Sequence, residues 1–290
     1  MRSSEHPEAE GTADEVIPLP PETTLQWVNR VIDPFTQVAR VAVFAAFIWL
    51  WKYAVDNEWI DPLFAAAPGE TFTAFRELFT ERLFWEDLIV TLREALLGWG
   101  FGSSAGVVVG LVLGRWARAA KAFGPFLTFF NATPKIALAP IFILWFGIGE
   151  SSKIFTAAIA VFFIVQVPTQ AASALTDADL DVMAKTMGAN QLQRFRKIVL
   201  PGILPAIFGA LRLAAVISLL VVVFTEFIAS RRGLGQRLIA STNAFEMDVA
   251  FAIMAVLAIM ALVINAVIGI LERRFLRWQE TRSGGSVAML

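Results

Sequence analysis

"ALLGWGFGSSAGVVVGLVLG", residues 95–114, runs for twenty residues without a charge. A membrane-spanning helix needs about 20 mostly apolar residues, so this one stretch places the chain in a bilayer. Gly98, Gly102, Gly106, Gly110 and Gly114 recur every four residues within it, with Ser103 beside them. At helical period they form a smooth stripe on which another backbone can approach closely. Three uses fit such a stripe: an interface between subunits, a surface that slides during transport, or ordinary packing inside the bundle.

Five further segments read as spans. One lies at about 38–55, with Arg40 and Lys52 near its ends. One lies at about 122–148 and is interrupted by Pro134, Lys135 and Pro140. The others are Ile154–Thr176, about 203–230 with Arg212 and Glu226 inside it, and Val249–Leu271. Composition agrees. The 290 residues are 57% hydrophobic and 17% charged, whereas a soluble domain carries about 25% charged residues; the mean hydropathy is +0.65. The expected fold is an all-α membrane protein of about six transmembrane helices. Residues 1–34 read as a polar, acidic tail without the apolar segment of a signal peptide. The membrane domain is expected over 35–275, with a polar loop at about 177–201, and a short tail over 276–290.

Six spans put both termini on one side. On that side fall Arg115, Arg118, Lys121, Lys185, Arg194, Arg196, Lys197, Arg273, Arg274 and Arg277, and the opposite loop at about 56–87 is mostly acidic. The excess of basic residues puts the termini in the cytoplasm. Arg231, Arg232 and Arg237 lie on the outer side. The chain has no cysteine, and its one histidine, His6, lies in the tail. Thiolate and imidazole chemistry is therefore not expected, nor a metal site, and nothing in the charge balance calls for nucleic acid.

The loop "TDADLDVMAKTMGANQLQRFRKIVLP", residues 176–201, is the most structured polar stretch. Thr176 or Asp177 can cap a helix to about Met187, and Gly188 supplies the left-handed residue that ends it. Asn190 with Gln193 forms a capping-box variant that starts a second helix. Leu192, Phe195 and Val199 fall on one face of it by three-and-four spacing. Pro201 is expected to stop this helix before the fifth span. The result is a helix–Gly–helix element with apolar knobs, suited to docking into a cytosolic partner or to lying on lipid headgroups.

Charged or broken positions inside spans are functional hypotheses. Asn131, Thr133, Pro134 and Lys135 break the third span, and Lys135 either attracts an anion in transit or snorkels to the interface. Glu226 is expected to pair with an arginine of the Arg231–Arg232 corner, shaping an outer gate or only bridging the interface. Gln166, with Pro168, offers a polar group in the fourth span that fits either the path or helix packing. The ionisable residues of the spans read as few and unpaired.

The spacing of Ala184, Gly188, Ile198, Leu200 and Pro201 resembles the EAA loop of ABC-importer permeases: Glu-Ala-Ala, three residues, Gly, nine residues, Ile-x-Leu-Pro. The triplet position reads Val182-Met183-Ala184, and the family's Glu is absent. "TLREALLGWGFGSSAGVVVGLVLG" (91–114), "TPKIALAPIFILWFGIGESSKIF" (133–155) and "VVVFTEFIASRRGLGQRLI" (221–239) resemble the nitrate, sulfonate, taurine and bicarbonate branch. The resemblance implies a type I importer fold in a bacterial inner membrane and ATP-driven alternating access for a small anion. Val182, Met183, Ala184, Gly188, Ala189, Leu192, Phe195, Ile198, Leu200 and Pro201 would then form the coupling element. It also implies a separate ATP-binding subunit holding ATP and Mg, an extracytoplasmic substrate-binding protein and a second copy of this chain. The chain carries no G-x-x-x-x-G-K-[ST] of its own. The alternative is a secondary transporter driven by an ion gradient, which should carry paired ionisable residues or an inverted repeat.

Overall fold

The computed structural model describes residues 22–276 apart from 60, 62, 176 and 177. Residues 1–21 and 277–290 of the expected tails, and the expected cap at Thr176 or Asp177, lie outside the described residues. The chain divides into two compact units at Asn57–Glu58. Helix α1, Glu22–Asp56, belongs to the first and holds the span Thr36–Asp56. Residues 22–34, expected in the polar tail, are thus helical. Leu25, Val28 and Ile32 continue the apolar period backward from the span.

The second unit opens with α2, Pro68–Leu78, and α3, Arg82–Arg115. Helix α3 is about 51 Å long at 1.5 Å per residue, more than a bilayer's hydrocarbon core needs. The chain returns through α4, Ala117–Ala132, a 3₁₀ turn over Lys135–Leu138 and α5, Ala139–Phe146. The two halves of this return bend by 82°. Two prolines account for the break. Thr133, just before Pro134, is extended because a residue preceding proline is pushed out of the helical region. Pro140 lies in the first turn of α5, where its missing N–H is harmless.

Helix α6, Glu150–Ala174, follows, then α7, Ala178–Thr186, and α8, Gln191–Arg194. A π-helical turn, Phe195–Val199, leads into α9, Leu200–Ile228; α10, Leu234–Asn243, and α11, Met247–Phe275, complete the unit. The expected spans correspond to α1, α3, the bent return, α6, α9 and α11.

The glycine stripe sets the packing. A Cβ at Gly98 would lie 2.6 Å from the Ala157 Cβ; at Gly106, 3.0 Å from the Val165 Cβ; at Gly110, 2.8 Å from the Thr169 Cβ; and at Gly114, 2.6 Å from the Ser173 Cβ. Every pairing is offset by 59 residues, so α3 and α6 run parallel in fixed register. Helix α9 crosses them antiparallel. Trp99 donates its indole N–H to the Leu211 carbonyl at 3.0 Å, and Ser218 donates to the Ala95 carbonyl at 2.7 Å. Buried side chains of α2, α3, α6, α9, α10 and α11 complete one apolar core, with Phe84, Ala157, Val222, Leu234 and Ile253 fully enclosed.

Candidate functional site

At one end of the unit, the α7–α8 segment has the local structure its caps demand. Gly188 sits at φ +80°. The Ala189 N–H bonds to the Ala184 carbonyl and the Gly188 N–H to the Lys185 carbonyl, the bond pair that closes a helix on a left-handed glycine. Asn190 then accepts from the Gln193 N–H at 2.8 Å, and the Gln193 side chain accepts from the Asn190 N–H at 2.9 Å. Both halves of the capping box are present.

Two expectations about this segment need correction. Pro201 does not stop the helix: the chain is helical without a break from Gln191 to Ile228. In the π turn the Leu200 N–H reaches back five residues to the Phe195 carbonyl, and this widened turn accommodates Pro201, which has no N–H to place. Nor do Leu192, Phe195 and Val199 share a face. Leu192 stays 57% exposed, Val199 is buried, and half-buried Phe195 packs with Val199, Ile203 and Ile207. Ala184, Ala189, Ile198, Leu200 and Pro201 are half-buried. Val182, Met183, Met187 and Leu192 are among the apolar side chains turned outward.

The opposite end is knitted by buried polar groups. The 59-residue register of α3 on α6 carries Glu94 onto Lys153, whose Nζ lies 2.7 Å from Glu94 Oε1, both side chains being enclosed. Glu226 on α9 does not pair with Arg231 or Arg232, as expected from sequence. It receives the Thr91 hydroxyl at 2.8 Å on one oxygen and the Gly235 N–H at 2.6 Å on the other. The Thr91 oxygen accepts the Leu234 N–H at 2.8 Å, and Asp87 accepts the Gly233 N–H at 3.1 Å. Three successive amides at the start of α10, which have no partner within their own helix, are thus held by side chains of α3 and α9. Gly233 has φ +112°, and a Cβ there would strike the Glu226 carboxylate. "RRGLGQ" is therefore a docking turn for one buried glutamate. Arg232 bonds Glu86 at 2.9 Å, and Arg237 pairs with Glu81.

Midway between the ends lies the bent return. Between α4 and α6 a cavity of about 420 Å³ is lined by Thr128, Asn131, Gln166 and Gln170 among apolar residues. The sequence-chosen Asn131 and Gln166 thus meet in one cavity. Lys135 stands one turn beyond Asn131 and donates to its backbone carbonyl and, at 3.2 Å, to its Oδ1. Its ammonium lies 5.0 Å from the centre of the Phe163 ring, near the midpoint of α6. The break thus sets Lys135 level with the middle of α6. Thr133 caps α4 onto the Phe129 carbonyl and Pro134 forms the corner. Helix α6 continues through Pro168.

A parallel helix pair locked by small residues, an antiparallel partner and a capped helical element at one end make up a membrane-spanning unit. The chain belongs to the binding-protein-dependent transport system inner membrane component family, whose sequence profile matches residues 102–280. It is 29% identical over 255 residues to the aliphatic sulfonates transport permease protein SsuC of Escherichia coli (strain K12), covering 87% of this chain and 94% of that protein. It is 27% identical over 243 residues to the taurine transport system permease protein TauC of the same strain, covering 82% and 88%. It is 30% identical over 231 residues to the riboflavin transport system permease protein RibX of Chloroflexus aurantiacus, covering 79% and 85%. The fold matches a bacterial ABC transporter involved in alginate import, with TM-score 0.60 at 17% identity over 87% of this chain and 97% of that one. It also matches an inward-facing MetNI methionine ABC transporter, with TM-score 0.55 at 19% identity over 68% and 95%.

The chain is therefore an ABC-importer permease subunit, and the ion-gradient alternative is set aside. Among the described residues the spans do carry a buried ion pair, Glu94–Lys153, which sequence reasoning missed. Each residue immediately precedes an uncharged run, and spans bounded by lack of charge excluded both. The signal was available: pairing the glycine stripe with the small residues of the fourth span gives the offset that aligns them.

Proposed function

We propose that this subunit, as a homodimer, forms the path for a small oxyanionic solute of the sulfonate class. ATP and Mg are bound by a separate ATPase subunit, which docks on the α7–α8 segment. A substrate-binding protein delivers the solute at the opposite end, and both chain termini face the cytoplasm. The observation that carries this reading is the rigidly capped α7–α8 segment, with Val182, Met183, Met187 and Leu192 turned outward. An apolar patch on an otherwise polar loop fits a protein partner. The basic residues of the same end favour the cytoplasmic side. The substrate class is that of SsuC and TauC, which are named for sulfonates and taurine.

Reconstitution in proteoliposomes tests the reading. ATP-driven taurine or ethanesulfonate uptake is expected with the ATPase subunit and loaded binding protein present, and none with this chain alone. Uptake driven by a proton or sodium gradient through the chain alone would overturn it.

The docking face gives a sharper result. Met183→Asp with Leu192→Asp is expected to lower transport about tenfold or more while the chain stays folded, because both side chains already face water. ATPase activity should no longer respond to the loaded binding protein. Phe195→Asp is expected to destabilise the subunit instead, since it buries a charge beside Val199 and Ile203; thermal unfolding of the purified variants separates the two effects.

A further inference from the structure

We propose that the α4–α6 cavity is an oxyanion subsite of the translocation path, with Lys135 as its counter-charge. The inference rests on the importer reading above and adds the position and chemistry of the site.

The hydrogen-bond inventory carries the argument. Gln166 is 2% exposed and donates from Nε2 to Gln170 Oε1 at 2.5 Å. That bond uses the Gln170 oxygen as an acceptor and leaves its NH₂ with hydrogens to give. Asn131 Oδ1 is likewise occupied by Lys135, which leaves the Asn131 NH₂. An ammonium has three donors, and Lys135 spends two on Asn131. Thr128 adds a hydroxyl. Among the described residues no acidic side chain lines the cavity and no carboxylate pairs with Lys135.

An unpaired cation at the middle of a membrane bundle is expensive and faces a path or a partner. Here it stands one hydrogen bond from a cavity that offers the NH₂ groups of Asn131 and Gln170, the second Gln166 Nε2 hydrogen and the Thr128 hydroxyl, against one amide acceptor, Gln166 Oε1. Such a site takes a solute bearing a sulfonate, carboxylate or similar oxyanion and does not favour a cation. The volume of about 420 Å³ falls in the range of small-molecule sites. The 82° bend is what places a lysine at this depth, because it turns the residues after Pro134 across α6 instead of along it.

Because the native chain has no cysteine, Thr128→Cys gives a single reporter within the complete importer in phosphatidylcholine nanodiscs. The probes are the anionic 2-sulfonatoethyl and the cationic 2-(trimethylammonium)ethyl methanethiosulfonates. Modification of this chain is followed by mass spectrometry, with each rate divided by that of a free small thiol. The anionic reagent is expected to be favoured about tenfold or more, and excess ethanesulfonate should slow it. Lys135→Arg should keep the preference and Lys135→Met should remove it. A normalised ratio of one or less with Lys135 intact, or no protection by ethanesulfonate, would overturn the proposal. Loss of labelling in phosphatidylglycerol nanodiscs without ethanesulfonate protection would assign the cavity to lipid phosphate, which also overturns it. ATP-driven uptake by the unsubstituted importer is measured in parallel. Uptake with a failed labelling test removes only the subsite, whereas absence of uptake removes the importer reading itself.

Discussion

Lys153→Met is expected to destabilise the subunit by about 3–5 kcal/mol, because it strands an enclosed carboxylate. Glu94 Oε1 takes its bond from Lys153 at 2.7 Å, and the Glu226 carboxyl lies close to the same site. Removing the ammonium leaves two acidic groups facing each other with no compensating charge. The double variant Glu94→Gln with Lys153→Met should recover most of the loss, since replacing both members of a buried pair is often neutral. Denaturant unfolding in mixed micelles gives the four corners of the cycle. Additive single effects would show that the two residues are not coupled and would remove the pair from the account of how this end is held.

Gly106→Leu is the second large effect expected. A Cβ there would lie 2.7 Å from the Phe162 carbonyl oxygen and 3.0 Å from the Val165 Cβ. The first obstacle is helix backbone and cannot turn aside. Even Gly106→Ala should cost about 1–3 kcal/mol through overpacking, and leucine should keep α3 from seating on α6. The expected readout is loss of folded protein on extraction. Gly100→Ala supplies the control in the same helix. Nothing lies within 4 Å of its added Cβ, so the better helix propensity of alanine should leave it neutral or slightly stabilised. Equal losses at both positions would mean that the stripe is not what fits the helices together.

These residues also show what a sequence can and cannot carry. The span positions and the two caps were readable, because apolar length and the chemistry of Gly188 and Asn190 are local properties. That Leu192 stays exposed while Phe195 packs with Val199 and Ile203 was not, because tertiary packing and not the apolar pattern decides it. For Lys135 the sequence left two roles open, attracting an anion or snorkelling; the break at Pro134 sets its ammonium against the middle of α6. Glu226 was correctly singled out and wrongly paired. Its partners are a backbone amide 9 residues away and a threonine 135 residues away, and backbone donors carry no residue-type signal. Arg212, visible as a charge inside a span, finds Glu272 on α11, a pairing between distant elements.

The constant register of α3 on α6 has a mechanical side. Two parallel helices interlocked at every turn from Gly98–Ala157 to Gly114–Ser173 can neither slide nor twist past each other without lifting apart. They form a strut. The α7–α8 segment continues from one end of that strut, and the Glu94–Lys153 pair closes the other. A push delivered at the first should therefore arrive at the second with little lost on the way. The joints must lie elsewhere, at the unlocked Thr133–Pro134 corner and at the glycine-bounded link Gly147–Gly149 that leads from α5 into α6. Motion concentrated there would swing Lys135 and its neighbours while the strut holds its length.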